Sequence, residues 1–227
     1  MNLENKKLII FDLDGTLIDS VPDLASAVNH TLQAINQKSF SEDEIRQWVG
    51  NGAATLVKRA LSGSVNIDPN MEQQYFENAL KIFLEFYSKN VCVNTKVYDG
   101  VKETLHRLNS YGYTLSIVTN KPYDFVLPIL ENLQIDKLFV DYLGGDSLDK
   151  KKPDPLPLEY ICKKLNTTTE DTVMIGDSKN DILAAKAANM DSIGVTYGYN
   201  YGDHISIYKP DFIVERFAQI TDILGVK

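Results

Sequence analysis

The sequence predicts an α/β fold: a doubly wound, parallel-sheet (Rossmann-like) core with an inserted all-helical cap domain. Three observations point there. From residue 93 onward, short apolar runs alternate with helical patterns, as parallel strands joined by helical crossovers require. Residues 20 to about 90 interrupt that alternation with an almost wholly helical pattern. The first apolar run passes straight into "FDLDGT", a turn carrying two aspartates at the place where such a sheet gathers its site.

Taken in order, residues 7–11 form the first strand and deliver Asp12 and Asp14 into the turn. Ser20-Val21-Pro22-Asp23 reads as a capping box with an early proline, opening a helix to about Ala34, with Asp19 and Ser20 as structural capping residues. A short helix follows Ser41, and another follows Gly50-Asn51-Gly52. Between 71 and 89, Met71, Tyr75, Phe76, Ala79, Ile82, Phe83 and Phe86 recur at helical spacing, a stripe expected to be lobe core and not a binding surface. Strands are expected at 114–118, 138–143, 172–175, 192–196 and 212–214. Helices should start near Gly100, Tyr123, Leu156, Asn180 and Arg216. The expected division is therefore 1–18 core, 19–92 helical cap and 93–227 core, with hinges near 17–19 and 92–98.

Composition narrows the function classes. The 227 residues are 44% hydrophobic and 24% charged, ordinary for a globular chain large enough for a core and a smaller lobe. Acidic residues outnumber basic ones 31 to 23, a formal charge of -8, which argues against a general nucleic-acid binder. An anionic substrate would then need a local positive site. The apolar run at 8–11 is too short for a signal-peptide core or a membrane span, so a cytoplasmic protein with no membrane partner is expected, as monomer or homodimer. Cys92 and Cys162 lie far apart and read as free thiols; the three histidines are scattered, which argues against zinc. No G-x-x-x-x-G-K-[ST] phosphate loop occurs.

Asp12 and Asp14 are poor strand residues that repel when both are ionised, and a fold gains nothing from placing them together. A positive charge, most simply a metal ion, would offset them. Three later segments also put polar residues just after strand-like runs: "LSIVTNK", "KKPDPLP" and "VMIGDSKND". Strand ends of a doubly wound sheet converge on one crevice, which should gather Asp12, Asp14, Thr119, Asn120, Lys152, Asp177 and Asp181.

These four segments resemble the signature motifs of the haloacid dehalogenase superfamily, in the phosphatase branch whose helical cap lies between the first and second motifs. Longer stretches, "VGNGAATLVKRAL", "GGDSLDKKKPDPLPL" and "GVTYGYN", resemble bacterial phosphoglycolate phosphatases. The resemblance implies hydrolysis of a small phosphomonoester, with 2-phosphoglycolate the expected substrate. A sugar phosphatase or a β-phosphoglucomutase-like phosphohexomutase is the alternative among enzymes. A non-catalytic protein on the same fold would be expected to have broken this residue set, which is intact.

Chemistry assigns the same roles. Asp12 attacks phosphorus as a carboxylate, and Asp14, two residues on, protonates the leaving alkoxide and later deprotonates water. Thr119 and Asn120 hold phosphate oxygens. Lys152, which the resemblance singles out of the Lys150–Lys152 run by its place before Pro153, would neutralise Asp12 and the phosphoryl group. Asp177, the Asp12 carboxylate and the Asp14 carbonyl make an oxygen set suited to Mg²⁺. Asp181 orients Lys152 or a metal-bound water, and Gly15 lets the backbone approach phosphate.

In the cap, Gly50 and Gly52 are expected to offer amides as an anion nest. On the helix that follows, Ala53, Leu56, Val57, Ala60 and Leu61 form the apolar face, leaving Lys58 and Arg59 on opposite polar flanks. Periodicity does not choose which meets the substrate carboxylate; the resemblance favours Arg59.

Overall fold

The computed structural model describes residues 3–226. Its strands are β1 (Leu8–Phe11), β2 (Ile18–Asp19), β3 (Lys96–Val97), β4 (Thr114–Val118), β5 (Asp141–Leu143), β6 (Thr172–Gly176), β7 (Asp191–Val195) and β8 (Phe212–Val214). Its α-helices are α1 (Val21–Ala34), α2 (Glu42–Arg46), α3 (Ala53–Ser62), α4 (Gln73–Tyr87), α5 (Val101–Ser110), α6 (Val126–Asn132), α7 (Leu156–Lys164), α8 (Lys179–Ala187) and α9 (Ile220–Ile223). Six strands pair in the order β5-β4-β1-β6-β7-β8, every pairing parallel. The chain leaves β1 for β4 and β5 on one side, then returns for β6, β7 and β8 on the other. The order reverses at β1, which puts the crevice at its carboxyl end.

Strand β1 is buried on both faces, so it reads as an unbroken apolar run. Ile9 and Phe11 join one core layer with Leu105 of α5, Ile129 of α6 and Ile220 of α9. Leu8 and Ile10, the alternate residues, pack the opposite layer with Ile161 of α7 and Ala184 of α8. A third apolar cluster belongs to α1–α4, where Val28, Ile45, Val57, Ala79 and Phe83 meet, and Phe125 and Tyr199 reach it from the α/β part.

The helical segment hangs from a two-stranded antiparallel ribbon, with Ile18 opposite Val97 and Asp19 opposite Lys96. The expected strand at 138–143 is shorter than its apolar pattern: Asp136–Leu138 forms a 3₁₀ turn and pairing is confined to Asp141–Leu143. The expected capping box at the start of α1 is also absent. Ser20 makes no side-chain cap, and Asp23 instead accepts from the amides of Val93, Asn94 and Thr95 on the returning segment. Among the described residues, no helix is long and apolar enough to cross a membrane.

Candidate active site

The site sits where β1, β4 and β6 end. Asp12 follows β1 directly and its amide N–H still donates to Ile175 O of β6 at 2.9 Å, which fixes the aspartate at the sheet edge. Asp177 follows Gly176 of β6, and Asp181 lies in the first turn of α8. The carboxylates of Asp12, Asp177 and Asp181 are all buried, with one oxygen from each within 4.8 Å of the others. Burial first, then the charges of neighbouring carboxylates, drives the Asp12 carboxyl up to about 7 despite Lys152, and holds Asp177 well above its ordinary range.

Lys152 answers part of this charge. Its ammonium lies 2.6 Å from Asp181 Oδ1 and 3.0 Å from Asp12 Oδ1. Burial pulls its pKa down, but the two carboxylates more than offset that and raise it, so it stays a cation. The Asp12 contact is off the hydrogen-bond direction, leaving Asp12 Oδ1 buried without a hydrogen-bond partner. Three buried carboxylates with a single ammonium among them leave negative charge and free lone pairs that a hard divalent cation would complete. Asp181 is less open to it: Oδ1 takes Lys152, and Oδ2 accepts the amide and hydroxyl of Ser178. Asp177 is held by Thr16 Oγ1 at 3.1 Å and by the Tyr199 amide at 2.7 Å, which leaves each oxygen a further lone pair.

Asp14 points away from that cluster. Its Oδ1 accepts Ser20 Oγ at 2.5 Å, and Lys121 Nζ lies 3.1 Å from both of its oxygens. Lys121 is fully buried and lies over the Tyr87 ring, 5.0 Å from its centroid. Asp12, Asp14, Thr119, Asn120 and Lys121 form the core side of a narrow pocket. The opposite wall comes mainly from the helical lobe: Leu24, Val49, Leu56, Phe83 and Tyr87, with Phe125 beside them. The α4 stripe is thus lobe core and pocket wall together, contrary to the expectation that it is core alone.

Residues 9–195 match the family of haloacid dehalogenase-like hydrolases. A phosphoglycolate phosphatase of Colwellia psychrerythraea is 52% identical, the alignment covering 97% of each chain. One of Vibrio parahaemolyticus is 44% identical over 100% of this chain and 99% of its own. The crystal structure of a predicted phosphoglycolate phosphatase from Haemophilus somnus superposes with a TM-score of 0.90 at 41% identity, covering 96% of this chain and 98% of that one. The chain belongs to the haloacid dehalogenase-like hydrolase family.

Within this hydrolase, several site residues sit differently from expectation. Asn120 Nδ2 donates to the carbonyls of Gly50 at 3.2 Å and Lys152 at 3.0 Å, and Asn180 Nδ2 also reaches Gly50 O at 3.1 Å. The core therefore grips Gly50 by its carbonyl, and Gly50 and Gly52 both line the pocket with Thr119 and Asn120. Gly52 (φ +85°) must be glycine because a Cβ there would stand 2.7 Å from Asn120 O, where lobe and core backbones touch. At Gly15 (φ +88°) a Cβ would stand 2.3 Å from Asp177 Oδ2, so a side chain there would collide with the carboxylate cluster. Arg59 does not line the pocket: Nη1 donates to Trp48 O at 2.7 Å and Nε to Val65 O at 3.2 Å, tying down its own lobe. Lys58 lies over the Phe76 ring.

Sequence reasoning missed three residues. Lys121 follows the Thr119-Asn120 pair in "VTNKP", and only folding shows that its ammonium turns back to Asp14. Ser20 reads as a helix cap but serves Asp14. Tyr199, in "GVTYGYN", holds Asp177 with its amide, accepts the Ser20 N–H at 3.0 Å and donates to Asp19 at 2.8 Å. Asp19 is in turn clamped by Arg46 of α2, at 3.0 and 3.2 Å.

Proposed function

We propose that this chain is a Mg²⁺-dependent phosphomonoester hydrolase working through an aspartyl-phosphate, with 2-phosphoglycolate converted to glycolate and phosphate. One observation carries the reading: Asp12 sits at the strand end with its Oδ1 3.0 Å from the Lys152 ammonium and shares a pocket with Asp14. An Asp12 oxygen forms a bond to phosphorus as the ester P–O bond breaks, and the departing alkoxide takes its proton from Asp14. Asp14 then removes a proton from water attacking the same phosphorus, the bond to Asp12 breaks and phosphate leaves. Lys152, kept charged by Asp181, faces the phosphoryl oxygens together with Thr119. Held by Asp12, Asp177 and the Asp14 carbonyl, Mg²⁺ would offset the buried negative charge and fix the phosphate.

The names of the relatives supply the substrate, and the pocket favours it over a sugar phosphate. Its lobe-side wall of Leu24, Val49, Leu56 and Phe83 offers few partners for a ring of hydroxyls. The cytoplasm is the proposed compartment, in keeping with two unpaired cysteines. Phosphate release from 2-phosphoglycolate and a set of hexose phosphates, each with Mg²⁺ and with EDTA, tests the reading. Fastest release from 2-phosphoglycolate, abolished by EDTA, is expected. Preference for a hexose phosphate, or full turnover after exhaustive chelation, would refute it.

A further inference from the structure

A carboxylate next to the scissile ester presents the pocket with a charge that its apolar lobe-side wall cannot solvate. Among the residues lining that pocket, Lys121 is the only cation. Its ammonium has three N–H donors, and the two Asp14 oxygens engage it on one side. Beside it, the Tyr87 hydroxyl is buried against the Lys121 ammonium, with no acceptor for its own O–H, an arrangement that costs stability unless something arrives to accept from it. Burial first, and the nearby Asp14, raise that hydroxyl to about 12 against the opposing pull of Lys121, so it remains a donor at neutral pH.

We propose that Lys121 and the Tyr87 hydroxyl together read the substrate's carboxylate, which makes them the specificity pair of this site. The inference rests on the phosphatase reading above and adds to it the groups that choose the leaving group. In an α-phosphorylated carboxylate, one carbon separates the carboxylate from the ester oxygen. The group that receives the carboxylate must therefore adjoin the group that protonates that oxygen. Lys121 beside Asp14 meets the requirement, and Ser20 keeps Asp14 partnered when Lys121 turns to the substrate. Arg59, bound to two lobe carbonyls, has no part in it.

The test compares 2-phosphoglycolate with 2-hydroxyethyl phosphate, a two-carbon ester with a neutral CH₂OH group and an equally poor alkoxide leaving group. Because both need the Asp14 proton, a variant that harms only Asp14 slows both alike. Tyr87→Phe removes a hydroxyl whose O–H no protein group accepts and leaves Lys121 its pair with Asp14, so its melting temperature should change little. Its kcat/KM should fall about 10-fold on 2-phosphoglycolate and less than about 3-fold on the neutral ester. Lys121→Met should slow both esters, with a loss on 2-phosphoglycolate at least about 10-fold the greater. Equal losses on the two esters in both variants would overturn the pair while leaving the phosphatase reading intact. Wild-type enzyme releasing no phosphate from 2-phosphoglycolate would instead overturn that reading itself.

Discussion

Asp12 and Arg59 show how one side chain's neighbours decide its role. Asp12 has a buried oxygen without a hydrogen bond and a cation 3.0 Å away, the condition of a group waiting for an electrophile. Asp12→Asn should leave the fold intact and remove nearly all phosphate release. Activity within about tenfold of wild type, roughly 1.4 kcal/mol of barrier, would contradict covalent catalysis. Arg59 has instead made its hydrogen bonds within the lobe. Removing a charged donor to the Trp48 carbonyl should cost about 1–2 kcal/mol of stability. Arg59→Ala is accordingly expected to lower the melting temperature and leave the preference between charged and neutral esters within about 3-fold. A change in preference beyond that would return Arg59 to the substrate. Sequence periodicity had put Arg59 on a polar flank correctly, but a flank has two ways to turn, and only the position of the Trp48 carbonyl selects one.

At the scale of elements, the β2–β3 ribbon and the start of α1 join lobe to core, and Tyr199 ties both to the carboxylate cluster. Its amide holds Asp177 while its hydroxyl holds the Ser20 N–H and Asp19. Burial, then nearby Tyr98 and Asp19, push that hydroxyl well above its usual pKa, so it stays protonated and able to donate. Arg46 completes the chain from α2, in a partly exposed pair that contributes more to geometry than to stability. Arg46→Ala should loosen lobe closure, read as a fall of about 3- to 10-fold in kcat/KM with an unchanged far-ultraviolet circular dichroism spectrum. An unchanged kcat/KM would mean that closure does not depend on the Arg46–Asp19 clamp. The helices themselves were legible, since Ser41, Gly52 and the apolar spacing of α3 and α4 are local signals. The clamp was not, because Asp19 and Arg46 are 27 residues apart with no pattern linking them.

For the whole molecule, a net charge of -8 and a buried carboxylate cluster that Lys152 neutralises only in part both oppose compactness. Mg²⁺ at about a hundred times its Kd should stabilise the fold by about 2.7 kcal/mol. For a chain of this size that corresponds to roughly 5–10 °C in melting temperature. Asp177→Asn should abolish the rise, and without metal it should melt no lower than wild type, since one of the mutually repelling buried charges is gone. A full Mg²⁺-dependent rise in that variant would remove Asp177 from the ligand set.

The sequence by itself determined the α/β class, the inserted helical segment and the four strand-end motifs. Each rests on information that neighbouring residues carry: alternation along β1, 3.6-residue spacing along α4, and polar residues directly after apolar runs. Tertiary structure alone decided what the long side chains touch. Lys121 and Arg59 can each sweep several ångströms, and their endpoints are set by an aspartate 107 residues away in one case and a carbonyl 11 residues away in the other. It also decided that Ser20 serves Asp14 and that α4 forms a pocket wall, because both depend on how closely the lobe packs against the core. Strand order gathers the carboxylates; the contact between lobe and core selects the groups that line the pocket.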